Sequence, residues 1–209
     1  MCDKCDMGGG EILDFGGYGP LSVGDTVPNF EFEVFQHSKT DEIKKVSIED
    51  YTGKWLILFF YPADFTFVCP TELEEMQANY AAFKAEGAEI ISVSTDTAFA
   101  HKAWHDSSPA IKQIEYPMGS DANHMLSEAF GVLIPDEGLA LRGTFVVNPD
   151  GEIVLAEIND NSIGRSASEL LRKLKAAKFV AEHDGKVCPA SWAAGQDTLE
   201  PGVGLVGKI

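Results

Sequence analysis

Cys69 stands in the stretch FFYPADFTFVCPTE, residues 59–72, between an apolar run and a proline. A lone cysteine in such surroundings is ordinarily a small buried hydrophobe. A reactive one works as the thiolate, so it needs a local positive potential and access to solvent. Cys69 falls between the end of the apolar run and the body of the helix that follows. Its sulfur is therefore expected near a helix N-terminus, where unpaired N–H groups and the macrodipole favour an anion. Thr66 can offer its hydroxyl to the same pocket. Pro70 removes one N–H donor and pushes Cys69 away from right-handed helical geometry, which makes the first turn of any helix starting at Thr66 marginal. We read that marginal turn as useful: it lets the sulfur be enclosed with a small substrate and then exposed to a second thiol. Amide exchange at Phe67 and Val68 as slow as in the core strands would count against this.

The elements that position the thiol are legible in outline. Val23 to Phe35 alternates loosely, as an early strand or hairpin does. Trp55 to Tyr61 is apolar on both faces, which predicts a central strand covered by helices on each side. From Thr71 the pattern turns helical, with Leu73, Met76, Tyr80 and Phe83 three or four residues apart, a capping box expected from Thr71 and Glu74, and Gly87 as the stop. Glu89–Ser94 reads as a short buried strand, and Ala98–His105 and Asn123–Phe130 as short helices, the second ended by Gly131. Leu141–Val147 and Glu152–Ile158 flank Asn-Pro-Asp-Gly and should form an antiparallel hairpin. Ser166 and Glu169 should cap a last amphipathic helix bearing Leu170, Leu171, Leu174 and Ala177. This order is that of an α/β thioredoxin-like fold with a mixed central sheet flanked by helices.

Length and charge narrow the function. The chain has 209 residues, enough for one well-buried core. We expect a Gly-rich mobile extension over 1–21, one body over 22–183, and a Gly/Pro-rich C-terminal tail over 184–209. The 33 acidic against 16 basic residues give a formal charge of -17, which disfavours nucleic acid and anionic lipid as partners. No segment approaches the roughly 18 consecutive apolar residues of a membrane helix, and no basic-then-apolar leader opens the chain, so a cytoplasmic location is expected. Four cysteines, Cys2, Cys5, Cys69 and Cys188, are too few and too scattered for a secreted disulfide framework. In a reducing compartment that points to chemistry at Cys69 and Cys188.

Pro62-x-x-x-Thr66-x-x-Cys69-Pro70-Thr71-Glu72 resembles the active-site signature of the peroxiredoxins. Val187-Cys188-Pro189 resembles the second-cysteine segment of their typical two-cysteine members, and the likeness extends from about Leu21 to the closing Leu205–Ile209, which is similar to the bacterial alkyl hydroperoxide reductase branch. The resemblance implies a peroxidase with no cofactor or metal of its own. Cys69 would be the peroxidatic and Cys188 the resolving cysteine, from the partner subunit of a homodimer, with such dimers commonly assembled into decameric rings. Thr66 would bond the peroxide and the sulfur, Pro62 would shield the thiolate, Arg142 would hold its guanidinium against the sulfur, and Glu72 would orient that arginine. The implied substrates are hydrogen peroxide, small organic hydroperoxides and peroxynitrite. The implied reductant is a dedicated flavoprotein disulfide reductase or a thioredoxin-like protein. Over-oxidation-sensitive relatives carry a Gly-Gly-Leu-Gly loop and a C-terminal Tyr-Phe pair. Here the loop reads Pro135-Asp-Glu-Gly-Leu-Ala140 and the tail has no such pair, which implies an enzyme slow to over-oxidise.

Other features carry less. His101 and His105 lie one helical turn apart, but without the Glu of a zinc-protease motif or a third ligand they read as an exposed helix face. Cys2-Asp-Lys-Cys5 has redox or zinc spacing in a Gly-rich tail, and reads as incidental or as an auxiliary dithiol. Trp55, Trp104 and Trp192 read as packing residues. Two rival functions stay open at this point: a thioredoxin-like disulfide oxidoreductase, although Cys69 lacks a partner in Cys-x-x-Cys spacing, and a ring-forming holdase chaperone.

Overall fold

The computed structural model describes residues 19–37 and 41–208. In chain order its elements are β1 (Glu31–Gln36), β2 (Glu42–Ser47), β3 (Trp55–Phe60), α1 (Cys69–Ala85), β4 (Ala88–Ser94), α2 (Ala98–Ser107), β5 (Met118–Ser120), α3 (Met125–Ala129), β6 (Leu133–Ile134), β7 (Leu139–Ala140), β8 (Arg142–Val147), β9 (Ile153–Asn159) and α4 (Ala167–Glu182). Seven strands form one sheet in the order β2-β1-β5-β4-β3-β8-β9, while β6 and β7 make a separate small hairpin. β3 runs parallel to β4 and antiparallel to β8. This is the mixed, thioredoxin-like α/β sheet that the element order predicts.

β3 explains where the core sits. All six of its side chains are buried, and the pleat sends alternate residues to opposite faces. Ile57 and Phe59 join Leu73 and Met76 of α1 and Leu174 of α4. Leu56, Leu58 and Phe60 meet Phe130 and Phe145 on the other face. Each such side chain taken out of water contributes on the order of 1.5–3 kcal/mol. Both faces of the strand are thus anchored, and its C-terminal end, where the chain turns toward Cys69, has little freedom to shift.

The expected β8–β9 hairpin forms, with Phe145 opposite Ala156 and a register shift between Val146 and Val147. Asn148 Oδ1 accepts from the backbone N–H of both Asp150 and Glu152, which closes the turn. Ser166 caps α4 by accepting from Glu169 N at 3.4 Å.

Two expectations fail in instructive ways, and one strand was not foreseen. Thr71 and Glu74 do not make a capping box: α1 begins at Cys69, so Thr71 already lies inside the helix and its hydroxyl donates to Val68 O at 2.7 Å. Pro70 is tolerated there because the first helical N–H groups have no intrahelical partner anyway. His101 and His105 do not form an exposed face; both are buried, together with Ala98 and Trp104 on the inward side of α2. His101 is bonded at both ring nitrogens to partners distant in sequence, Asp64 and the Gly119 carbonyl, whereas His105 Nε2 has no hydrogen-bond partner among the described residues. β2, unassigned in the sequence, is an edge strand whose polar residues Lys44 and Lys45 are exposed, and it pairs antiparallel with β1.

Candidate active site

β3 delivers the chain to Tyr61 and the buried Pro62, and the segment 62–68 then crosses without helix or strand to Cys69, the first residue of α1. The helical turn that could have begun at Thr66 is absent, but Cys69 is helical as the first residue of α1 and Val68 before it is already in the right-handed region, so Pro70 does not push Cys69 out of helical geometry. Cys69 has no exposed surface, which corrects the expectation of solvent access: the chain around the thiol has closed over it. Phe67, two residues earlier, is 92% exposed. The enclosure is therefore made by the sheet and α1 rather than by that ring.

β8 brings a cation to the sulfur. Its antiparallel register, with Phe59 opposite Thr144, sets the start of β8 beside the end of β3. Arg142 is buried there and its Nη1 donates to Cys69 Sγ at 3.4 Å. The same Nη1 lies 2.7 Å from Glu72 Oε2, and Nε and Nη2 both donate to the carbonyl of Asn161, at 2.9 and 2.7 Å. The guanidinium is held on three sides.

Glu72 projects from the first turn of α1 and is itself buried. It serves a second arginine that sequence reasoning missed. Arg165 donates to Glu72 Oε1 from its backbone N at 2.8 Å and from Nε at 2.9 Å, and its Nη2 reaches Oε2 at 3.1 Å. Its Nη1 donates to Gly143 O and Thr144 Oγ1, and its guanidinium lies 3.5 Å from the centre of the Phe59 ring. Burial lowers the Arg165 pKa from its ordinary value, and the hydrogen bonds to Glu72 oppose that shift. The available signal was its place: an arginine directly ahead of the Ser166 cap, where α4 starts against α1. Two guanidiniums share one carboxylate, so the buried cluster carries a surplus positive charge, and Arg142 presents it to the sulfur.

Thr66 comes near this group without the contact expected of it. Its hydroxyl donates to Ala63 O at 2.9 Å, closing a turn within 62–68, and makes no hydrogen bond to Cys69. Cys188 lies apart. It follows α4, half-buried, with Sγ 3.9 Å from Ala176 O. Burial raises its thiol pKa, while nearby Arg172 pulls it down. Arg172 also donates to Trp192 O at 2.6 Å and forks onto Glu169, pinning the segment that carries Cys188 to α4. Cys69 and Cys188 are both free thiols. No group of three His, Cys, Asp or Glu residues among those described is arranged to hold a metal. Cys2 and Cys5 lie outside the described residues. Among the described residues no helix is long and apolar enough to cross a membrane.

A thiol enclosed at a helix start with a fixed guanidinium donor is equipped to attack an electrophile and to stabilise the charge that develops on a leaving oxygen. Comparisons with known proteins place the chain in a family. The AhpC/TSA family matches residues 23–156. Alkyl hydroperoxide reductase C of Staphylococcus epidermidis is 53% identical over 171 residues, covering 82% of this chain and 90% of that protein. The Pseudomonas aeruginosa protein of the same name is 49% identical over 187 residues, covering 90% and 98%. The crystal structure of Enterococcus faecalis AhpC superposes with a TM-score of 0.77 at 49% identity, over 80% of this chain and 98% of that one. Reduced 2-Cys peroxiredoxin of Plasmodium vivax gives 0.81 at 31% identity, over 86% and 93%. The chain belongs to the AhpC/TSA family and is a peroxidase of the two-cysteine peroxiredoxin class.

Proposed function

We propose that Cys69 is the peroxidatic cysteine and Cys188 the resolving one. The observation that carries the reading is the 3.4 Å contact from Arg142 Nη1 to Cys69 Sγ, made by a guanidinium held in place by Glu72 and by the Asn161 carbonyl. The Cys69 thiolate attacks the terminal oxygen of a hydroperoxide. The S–O bond forms as the O–O bond breaks, the departing alkoxide or hydroxide leaves as alcohol or water after taking up a proton, and Cys69 becomes a sulfenic acid. Arg142 stabilises the leaving oxygen because its donors are fixed before the reaction starts. Pro62 keeps water from the sulfur. Thr66 turns its hydroxyl from Ala63 O toward the peroxide when substrate enters, and Glu72 holds Arg142 in place.

The Cys188 thiol of the partner subunit then condenses with the sulfenic acid, releasing water and forming an intersubunit disulfide. In the two-cysteine members that the chain resembles the resolving thiol comes from the other subunit, and we carry that arrangement over to Cys188. A homodimer is therefore the working unit, with a decamer as the assembly of dimers. A dedicated flavoprotein disulfide reductase, or a thioredoxin-like protein, returns both thiols. In this reading 22–183 is the catalytic body, 184–209 the arm that carries the resolver, and 1–21 an extension, and the enzyme works in the cytoplasm against hydrogen peroxide and organic hydroperoxides.

The test is a non-reducing gel after about one equivalent of hydrogen peroxide. A covalent dimer in the wild type that is absent from Cys69→Ser and Cys188→Ser is the expected result. A monomer in every lane with thiols unconsumed would end the reading.

A further inference from the structure

Behind the segment 62–68 lies a buried polar cluster that the proposed chemistry does not use. His101 of α2 has no exposed surface, and Asp64 is also buried. His101 Nδ1 is 2.8 Å from Asp64 Oδ2, and Nε2 is 3.0 Å from Gly119 O at the middle of β5. Tyr61 donates from its hydroxyl to Asp64 Oδ1 at 2.7 Å. The backbone N–H of Asp64 donates to Asp96 Oδ2 at 2.8 Å, and the Ser94 hydroxyl donates to that same oxygen. A carbonyl oxygen only accepts, so Nε2 carries a hydrogen. The imidazole is therefore fixed at both nitrogens between a sheet strand and the one carboxylate that the catalytic segment sends inward.

The placement is what gives this cluster a consequence. Asp64 sits between Pro62 and Thr66, and its neighbour Phe65 adopts a left-handed φ of +55°, a conformation unfavourable for a bulky residue. Such a backbone persists only when its surroundings over-determine it. Phe65 itself is 60% exposed, and its ring meets that of Trp104 at 5.9 Å. The firm tie is the residue before it. The Val68 carbonyl accepts from the first turn of α1. Ahead of it, among the described residues, the side-chain hydrogen bonds that tie 62–67 to the rest of the fold run through Asp64, to Tyr61, Asp96 and His101, whereas the Thr66 hydroxyl bonds only within the segment.

We propose that His101 is a positioning residue of the peroxidase: through Asp64 it anchors the middle of segment 62–68, so that Thr66 and Cys69 stand ready for peroxide and the sulfur stays enclosed until it is oxidised. The proposal rests on the assignment of Cys69 as the peroxidatic thiol. It makes two rates move in opposite directions. Oxidation of Cys69 needs the segment in place, and a displacement of the order of 1 Å in an arranged site costs up to about a hundredfold in rate. Condensation with Cys188 needs the wholly buried Cys69 to leave its pocket, and a loosened anchor makes that departure easier.

The experiment is single-turnover stopped flow on the full-length protein with hydrogen peroxide, separating thiol oxidation from disulfide formation. The variants are His101→Gln and Asp64→Asn, with His105→Gln as a control on the same helix that does not touch Asp64. Asp64→Asn preserves shape and keeps the test alive if His101→Gln folds poorly. The expected result is oxidation slower by about tenfold or more and condensation faster than wild type in both, with the control unchanged in each rate. Unaltered oxidation in a folded Asp64→Asn would overturn the anchor, as would both rates falling together in step with lost folded protein. Failure of the wild type itself to consume peroxide through Cys69 would instead overturn the catalytic assignment beneath it.

Discussion

Arg142 and Arg165 approach a single carboxylate from different parts of the chain: Arg142 Nη1 meets Glu72 Oε2 at 2.7 Å and Arg165 Nε meets Oε1 at 2.9 Å. Neither guanidinium is free to swing, because each also donates to a backbone carbonyl, Asn161 O for one and Gly143 O for the other. A buried ion pair adds little net stability, but removing one partner strands the other charge. Glu72→Gln should therefore lower unfolding free energy by about 3–5 kcal/mol as well as slow the reaction. Denaturant unfolding beside stopped-flow oxidation checks both effects.

Arg142→Lys separates charge from geometry. Lysine retains the positive charge but cannot reach the sulfur, Glu72 and the Asn161 carbonyl at once with a planar fork. Loss of a fixed donor at a developing oxyanion costs about 10²–10³ in rate. Peroxide oxidation of Arg142→Lys should fall by about that factor, with far-UV circular dichroism unchanged. A rate within about twofold of wild type would show that charge alone suffices.

The resolving step should depend on alkaline pH. Burial raises the Cys188 thiol above its ordinary value of 9.0, with Arg172 opposing. Thiolate is then the minor form at neutral pH, and condensation after a stoichiometric peroxide pulse should accelerate by about tenfold per pH unit until beyond pH 9. Arg172→Gln removes the opposing pull, so its profile should shift toward higher pH.

His105 gives a separate handle on stability. Burial lowers its pKa from the ordinary 6.5, the charge of nearby His37 adds to that, and the Ile114 carbonyl, Asp41 and Asp106 pull upward. The folded state then binds the proton less readily than the unfolded chain. Stability from this residue is present above about pH 6.5 and is lost as pH falls through the depressed folded value. The urea midpoint of wild type should drop on that acid side, and His105→Asn should flatten the drop.

Resistance to over-oxidation is expected from the short segment around Gly138. Residues 135–138 close the β6–β7 hairpin as a turn, with Gly138 at φ +66°. They read Pro135-Asp-Glu-Gly138 where the sensitive relatives carry Gly-Gly-Leu-Gly. Mass spectrometry after turnover with modest peroxide excess should find little sulfinic Cys69. Predominantly sulfinic protein would refute this.

The sequence announced Cys69, the body of the helix after it and the central strand because those signals are local: an apolar run, a proline, a 3.6-residue period. Arg142 became visible only through resemblance, since nothing near it in the chain marks an arginine destined for burial. Arg165 and His101 escaped because their partners are far away, Glu72 being 93 residues from Arg165 and Asp64 being 37 from His101. Periodicity assigns polar residues to the wet face of a helix and cannot see a carboxylate arriving from another element. β2 was missed for the opposite reason: an edge strand has solvent beside it and so has little apolar pattern to read.

The complete enclosure of Cys69 also sorts reagents by size. A molecule as small as hydrogen peroxide needs only a brief opening to reach the sulfur, whereas a bulky maleimide needs the surrounding chain to unfold. Cys188, partly open on α4, has no such sieve. Two thiols of one chain thus answer to different chemistries in the native protein, and peptide mapping after labelling with reagents of graded bulk reads how wide the door to Cys69 opens.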